Sequence, residues 1–155
     1  MLPALLVLAG CGGGGGAKTP AQTVRGPGYR FAAPAGWKVA RTATATAAAR
    51  DSELVQVSTF PLVRAYSDAL FAAVSSELQA RMRQVARQSG GSVTGRFAVT
   101  AAGIRSHAYD VDVGDHVDEY TFVLRGKREY LLLCRRKKSS RAGFCTQLVR
   151  TFALA

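Results

Sequence analysis

The sequence predicts an α+β domain in which an antiparallel β-sheet has helices packed on both faces, an α/β/α sandwich. One long amphipathic segment in the middle of the chain and a series of alternating segments after it indicate this class. Within that series, Tyr130–Leu133 is apolar on both faces. A strand of this kind lies inside a sheet that is covered on each side. Helices, or a helix and a loop layer, are therefore expected to cover the two faces.

Two short strands and a turn are predicted at the start of the folded part of the chain. Tyr29–Phe31 and Trp37–Val39 alternate in polarity, and Pro34–Gly36 between them is typical of a turn. Thr42–Arg50 contains only Ala, Thr and Arg, so it is interpreted as a weak strand or a loop. Glu53–Leu62 alternates clearly and is predicted to be a strand.

A single amphipathic helix is predicted from Ser67 to about Gln88. Ser67 is a good N-cap residue, and Asp68 suits the positive end of the helix dipole. Gly90 and Gly91 are expected to end the helix. Its apolar face comprises Leu70, Phe71, Val74, Leu78, Met82 and Val85. A stripe of this kind is interpreted as a core face rather than a ligand surface.

From Ser92 onward the polarity alternates every second residue, which predicts an antiparallel meander. The predicted strands are Thr94–Val99, Ile104–Val113, Val117–Leu124 and Glu129–Cys134. The connections fall at Gly103, at Gly114-Asp115 and at Arg125-Gly126-Lys127, where glycine adopts a positive φ at little cost. Arg141–Phe152 is expected to form a short terminal helix that packs on the last strand.

The first residues are typical of an exported protein with a lipid anchor. Leu2–Leu8 is almost wholly apolar, like the h-region of a signal peptide. The tetrad Leu8-Ala9-Gly10-Cys11 resembles the bacterial lipobox, in which the cysteine thiol receives a diacylglycerol and the preceding peptide bond is cut. The resemblance implies that residues 1–10 are a lipoprotein signal peptide and that lipidated Cys11 begins the mature chain.

Residues 11–28 are interpreted as a tether between the lipid and the globular domain, which is placed at residues 29–155. Gly12–Gly16 has no side chains to pack and behaves as a flexible coil. Residues 17–28 contain Pro20 and Pro27 and show no helical or strand period, so they extend the tether. No Lys or Arg precedes Cys11, which departs from the usual signal peptide.

The net charge of +11 bears on the class of partner. In a cytoplasmic protein it would favour nucleic acid, but an exported protein meets anionic phospholipid headgroups and phosphate-bearing wall polymers instead. No nucleic-acid partner is expected. An Arg- and Ala-rich composition, as in proteins from GC-rich genomes, is the alternative explanation and the favoured one, because net charge reports on solubility rather than on a site.

Several short motifs between Gly28 and Ala155 resemble the PsbP-like lipoproteins of actinobacteria and their relatives. They are the opening Tyr-x-Phe-x-x-Pro-x-Gly-Trp at residues 29–37, the mid-chain helix, the strands entered through Ala102-Gly103, and the cysteine-containing last strand and helix. The resemblance implies an α/β/α sandwich around an antiparallel sheet. It also implies a non-catalytic accessory or binding module.

Cys134 and Cys145 are the only cysteines of the predicted globular domain. Exported domains meet oxidising conditions, which favours a disulfide between the end of an inner strand and the start of the last helix. Two free buried thiols, or a single nucleophilic thiol, are the alternatives.

Acidic residues are concentrated on one predicted hairpin. The group comprises Asp110, Asp112, Asp115, His116, Asp118 and Glu119. These oxygen ligands suit a divalent cation, but no Asp-x-Asp-x-Asp-Gly loop with a distal Glu is present, so a solvated hairpin is the preferred interpretation. No metal and no cofactor are expected. His107 or His116 with a nearby carboxylate would be the general base if the protein were a hydrolase of the envelope.

A basic cluster is the candidate contact with an anionic surface. It comprises Arg135, Arg136, Lys137, Lys138 and Arg141. The basic turn at 125–128 is expected at the same edge of the meander. Such a cluster can hold anionic headgroups near a lipid anchor, and ordinary solvated loop charge is the alternative.

Taken together, the sequence predicts a protein held by a lipid at the extracytoplasmic face of the cell membrane. It is expected not to be an enzyme but to serve as a non-catalytic binding or accessory module of the cell envelope. Its expected partners are the membrane itself and an anionic lipid, a wall polymer or an envelope protein. A hydrolase that uses His107 or His116 is one alternative, and a carrier of a small apolar ligand is the other.

Overall fold

Alternating segments like those predicted from the sequence account for the two antiparallel sheets that make up most of the fold. The computed structural model describes residues 20–141 and 143–155. The strands are β1 Ala21–Gly26, β2 Tyr29–Pro34, β3 Lys38–Arg41, β4 Ala45–Arg50, β5 Glu53–Tyr66, β6 Ser92–Ala101, β7 Ile104–Val113, β8 His116–Lys137 and β9 Ala153–Leu154. The α-helices are α1 Phe71–Gln88 and α2 Gly143–Thr151. The described part of the chain is therefore a mostly-β α+β fold.

The larger sheet has the order β3-β4-β5-β8-β7-β6, with each neighbouring pair antiparallel. The first part of β8 pairs with β7, and its second part pairs with β5. Thr42–Arg50, the segment interpreted as a weak strand or a loop, contributes β4, whose Thr46 and Ala48 are buried. The predicted strand Glu53–Leu62 continues to Tyr66.

The β8 strand doubles back on itself near Gly126. Arg135 Nε lies 2.7 Å from Asp118 Oδ1, and the Lys138 amide donates to the Asp115 carbonyl at 2.9 Å. Residues 17 positions apart on one straight strand would be about 56 Å from each other. Gly126 has φ +56°, which suits a tight turn between antiparallel arms. The predicted turn at 125–127, and the strands on both sides of it, are therefore present.

The α1 helix begins later than expected and buries only the middle of the predicted apolar face, at Leu78 and Met82, whereas Leu70 lies before the helix and is 39% exposed. Ser67 has extended backbone and no side-chain capping bond, and a 3-10 turn, Asp68–Leu70, precedes the helix. The prediction that Ser67 caps the helix through its hydroxyl is wrong, because the 3-10 turn takes up the first residues. The end is as predicted, with Gly90 at φ +71°. Leu78, Met82, Ala86, Tyr109, Val111 and Phe122 form one buried cluster.

The smaller sheet has the order β1-β2-β9 and shares a core with α2. Val24, Tyr29, Phe31 and Ala33 from the small sheet pack in one cluster with Val55, Val57, Val123, Leu132, Cys145, Leu148 and Phe152, among others. The terminal helix predicted within Arg141–Phe152 is present as α2.

The structure moves the start of the folded domain toward the N-terminus. Residues 21–26 were expected to belong to the tether at 11–28, but they form β1, which pairs with all six residues of β2. Val24 is buried by this pairing. The inward residues of β1 include Gln22 and Val24. Because Gln22 is polar, the sequence shows no apolar alternation here; in the structure its amide donates to the carbonyls of Pro34 and Trp37.

The lipobox residues, including Cys11, lie outside the described residues. Among the residues that the structure does describe, no helix is long and apolar enough to cross a membrane.

Candidate functional site

The predicted basic cluster and the predicted acidic hairpin lie together and neutralise one another. Arg135 makes a two-pronged contact with Asp118, with Nε to Oδ1 at 2.7 Å and Nη2 to Oδ2 at 2.8 Å. Arg136 Nε donates to Glu119 Oε1 at 2.8 Å, and the Lys138 ammonium pairs with Asp112. Lys137 and Arg141 have no ion pair among the described residues. Most of the charge expected to face an anionic surface is thus satisfied internally.

The acidic hairpin contains one carboxyl with a raised pKa. Asp110 lies directly opposite Glu119 in the β7–β8 register. Partial burial raises the pKa of Asp110, the negative charge of Glu119 raises it further, and Arg136 partly offsets both. Within residues 20–141 and 143–155, no cluster of three or more His, Cys, Asp or Glu side chains could hold a metal ion.

The two histidines lie at opposite ends of the β7–β8 ladder. His107 is paired with Phe122, whereas His116 is paired with Val113, so the two are separated by about 20 Å along the strands. The His107 ring stacks on Phe71 at 3.9 Å between centroids, and its Nε2 lies 2.8 Å from the Phe71 carbonyl oxygen. Because a carbonyl only accepts, Nε2 carries the proton. His116 Nδ1 lies 3.1 Å from Asp115 Oδ1 at the hairpin turn.

The cysteine pair has the predicted connection. Cys134 on β8 and Cys145 on α2 are at disulfide distance, with their Cα atoms 5.4 Å apart, and both are buried. The bond joins the second arm of β8 to the first turn of the terminal helix. Free thiols and a single nucleophile were the alternatives, and the structure has the bonded form.

A second basic surface lies at the tip of the β8 turn. Arg125, Lys127 and Arg128 line a cleft of about 400 Å³ together with Tyr130 and the chain near Leu154. Arg128 and Arg135 are separated along one arm of β8 by about 23 Å. The expectation that the two basic turns meet at one edge is therefore wrong, because the arms of the hairpin hold them at opposite ends.

Two further clefts flank β6, the strand at one edge of the larger sheet. One, of about 360 Å³, lies between the sheet and α2, and Phe97, Asp110, Glu119 and Val149 are among the residues that line it. Phe97 is 51% exposed. This partly apolar cleft is open to the surface, whereas the alternative function, a carrier of a small apolar ligand, would need an internal cavity.

The other cleft, of about 350 Å³, lies between α1 and β6 and was not predicted. It is lined by Gln79, Arg83, Val93, Thr94, Gly95, Arg96 and Tyr109. Sequence reasoning missed it because Tyr109 occupies an ordinary apolar position of an alternating strand. Gly95 inside a strand was the one available signal, since such a glycine often marks a bulge.

Comparison with known proteins supports the fold. No protein-family model matches the chain, and no curated protein matches it. The solution structure of cyanobacterial PsbP (CyanoP) from Synechocystis sp. PCC 6803 is similar, with a TM-score of 0.65 at 14% identity, covering 96% of this chain and 99% of that one. A crystal structure from Bacteroides thetaiotaomicron VPI-5482 has a TM-score of 0.51 at 10% identity, covering 86% of this chain and 48% of that one. The domain therefore has a PsbP-like fold.

Proposed function

We propose that this protein is a lipoprotein with a PsbP-like domain of the actinobacterial type, anchored through Cys11 at the extracytoplasmic face of the cell membrane. The observation that carries the proposal is the buried Cys134–Cys145 pair. Structural disulfides form and persist in oxidising compartments and are rare in the cytosol. A paired, buried disulfide thus agrees with the export that the lipobox-like tetrad implies.

The proposed role is that of a non-catalytic binding or accessory module of the envelope. The placement of the histidines supports this role, because His107 is committed to the Phe71 carbonyl and to ring stacking. His116 lies at a hairpin turn at the other end of the ladder. A hydrolase that used either one would need a base, an orienting carboxylate and a nucleophile in one concave site.

The finer architecture that we propose is a sheet with one helix on each face. Adjacent residues of a strand point to opposite faces. Phe122 packs in the cluster that contains Met82 of α1, whereas Val123 packs in the cluster that contains Leu148 of α2. This alternation supports the α/β/α arrangement expected from the sequence.

The proposed partners are the membrane and a polyanion of the envelope, either anionic lipid or wall polymer. Ion pairing of Arg135, Arg136 and Lys138 weakens the case for the patch at 135–141. The tip residues Arg125, Lys127 and Arg128 make no ion pair among the described residues, which favours the tip as the contact.

Substitution of the proposed lipid site tests the anchor. Cells that express the full chain are labelled with a fatty acid and fractionated, and Cys11→Ser is expected to abolish both the label and the association with membranes. The matched control is the double variant Cys134→Ala, Cys145→Ala, which keeps Cys11 and is expected to retain the label. Equal membrane association of the Cys11→Ser chain would refute the anchor.

The compartment is tested by the redox state of the two domain cysteines. In protein recovered from intact cells under acid quench, Cys134 and Cys145 are expected to resist alkylation until a reductant is added. Two readily alkylated thiols in the denatured, unreduced protein would contradict export to an oxidising compartment.

A further inference from the structure

Tyr109 closes one side of the cleft between α1 and β6. Tyr109 is 1% exposed, and its ring packs edge to face against Phe122 at 6.0 Å. Its hydroxyl oxygen is enclosed by the protein and lies beside the Ser75 hydroxyl. Tyr109 therefore gives the cleft a packed wall, and the charged groups of the cleft come from its neighbours.

The Tyr109 hydroxyl is directed toward α1 and Ser75. Burial raises the pKa of Tyr109, and the positive charge of Arg96 and the hydrogen-bonding contact with Ser75 only partly offset this effect. The Ser75 hydroxyl itself accepts a hydrogen bond from Gln79 Nε2 at 3.1 Å.

Two guanidinium groups line the same cleft without acidic partners. Arg83 extends from α1, and Arg96 extends from β6 directly opposite Tyr109 in the register. Neither makes an ion pair with any residue in 20–141 or 143–155. Ion pairs elsewhere engage Asp112, Asp115, Asp118, Glu119 and Glu129. The cleft thus brings together two positive charges that have no acidic partner among the described residues.

A bulge in β6 shapes the floor of the cleft. The register passes from Val93 opposite Val111 to Gly95 opposite Asp110, which leaves Thr94 without a partner residue on β7. A β-bulge of this kind interrupts the ladder and leaves the extra residue unpaired. A Cβ atom at Gly95 would meet the Phe97 ring, which would have to turn aside to make room for it.

We propose that the cleft between α1 and β6 binds a small ligand that bears a phosphate or carboxylate group. Arg83 and Arg96 bind the anionic oxygens, and Tyr109 forms the wall between them. A volume of about 350 Å³ falls within the range of small-molecule sites. The proposal deepens the proposed role as a binding module but does not depend on the lipid anchor.

The test is an NMR titration of the full chain carrying Cys11→Ser, with inorganic phosphate and citrate as separate probes. Saturable shifts are expected at the amides of Thr94, Gly95 and Arg96. Arg83→Gln and Arg96→Gln are each expected to weaken binding about tenfold, because each removes charged hydrogen bonds. The control Arg87→Gln lies on the same helix outside the cleft and is expected to leave the affinity unchanged.

Tyr109→Phe separates the arginines from the wall of the cleft. The variant is expected to bind with the parent's affinity, because the hydroxyl oxygen is enclosed by the protein. Arg83→Gln and Arg96→Gln variants that bind as well as the parent would contradict the assignment, and so would shifts confined to the tip at Arg125–Arg128.

Vesicles distinguish a soluble ligand from a lipid headgroup. Phosphatidylcholine vesicles with and without phosphatidylglycerol are mixed with the parent and with Arg83→Gln. Binding that needs phosphatidylglycerol and is lost in Arg83→Gln assigns the cleft to a headgroup. Saturation by soluble phosphate or citrate without vesicle binding assigns it to a free anion. No saturation in any arm would overturn the site, while fatty-acid labelling at Cys11 would still test the anchor.

Discussion

Asp118 is the most deeply buried carboxylate among the described residues, at 2% exposure, and it is held by Arg135 through two hydrogen bonds. A buried charge that loses its partner is strongly destabilising, even where the pair itself contributes little. The contact therefore matters for stability because Arg135 pairs with both oxygens of the buried carboxylate.

Asp118→Asn tests the contact. The amide cannot accept two charged hydrogen bonds from Arg135, so the free energy of unfolding is expected to fall by about 2–3 kcal/mol. Urea denaturation followed by circular dichroism measures the change. The control Asp115→Asn removes a carboxyl that is 93% exposed, and a change of at most about 0.5 kcal/mol is expected. Equal effects of the two substitutions would contradict the role of Asp118.

Asp110 makes the stability depend on pH in the opposite sense from most carboxylates. Its pKa is raised in the folded state by burial and by Glu119. The folded state therefore holds this proton more tightly than the unfolded state. The contribution of Asp110 to stability is present below its unfolded pKa and is lost as the pH rises through its folded pKa.

Asp110→Asn is expected to stabilise the protein at neutral pH, with an advantage that shrinks as the pH falls through the range in which carboxyls titrate. The neutral amide resembles the protonated carboxyl and avoids repulsion by Glu119. Urea denaturation of the parent and the variant over a series of pH values measures the difference. A variant that is less stable than the parent at neutral pH would contradict the assigned cause.

At the scale of elements, the turn at Gly126 lets one arm of β8 pair with β7 and the other arm pair with β5. Gly126→Ala is expected to lower the free energy of unfolding by about 1–2 kcal/mol, because alanine is strained at φ +56°. Thermal and urea unfolding measure the loss. The matched control Gly143→Ala lies at the start of α2 with no atom near the added methyl, and it is expected to be neutral or slightly stabilising.

The sequence predicted where the helices and strands lie better than it predicted which strands pair with each other. Period-two alternation identified β5, β6, β7 and both arms of β8, and helical spacing identified α1. The β1 strand was missed because its inward positions include the polar Gln22, whose amide is satisfied only by the distant carbonyls of Pro34 and Trp37. Alternation reports which face a residue occupies, but not which strand lies beside it.

The candidate sites were likewise predicted where the sequence left few choices, and missed where they depend on residues that are distant along the chain. Cys134 and Cys145 were correctly paired because they are the only two cysteines of the globular domain. The basic cluster at 135–141 was expected to be free, but Arg135 and Arg136 pair with residues 17 positions earlier on the other arm of β8, and Lys138 pairs with Asp112 on β7. The α1–β6 cleft was missed because it joins Arg83, Arg96 and Tyr109, which share no local motif.

At the scale of the whole molecule, the net charge of +11 is unevenly compensated. The end that carries Arg135–Lys138 also carries the acidic hairpin, whereas acidic side chains are absent from the lining of the cleft at the β8 tip. The field of the protein should therefore be most positive around the tip.

Paired charge removals test this asymmetry. In the Cys11→Ser background, Arg125→Gln with Arg128→Gln is expected to weaken binding to anionic vesicles roughly 30-fold, at about 1 kcal/mol for each charge. Lys137→Gln with Arg141→Gln removes the same charge at the other end and should have a smaller effect. Vesicle co-sedimentation at low and high salt measures both. Equal losses would mean that only total charge matters.

The small sheet has a consequence for the order in which the domain matures as the chain is made. The β1–β2 hairpin is synthesised first, but the Ala32 amide donates to Thr151 Oγ1, 119 residues later, and β9 pairs with β2 later still. Tyr29 and Phe31 therefore stay accessible to solvent until residues 151–154 have been synthesised. A nascent chain cannot complete this core before α2 and β9 have been made, so the β1–β2 hairpin, although synthesised early, becomes stable only when these distant elements are present.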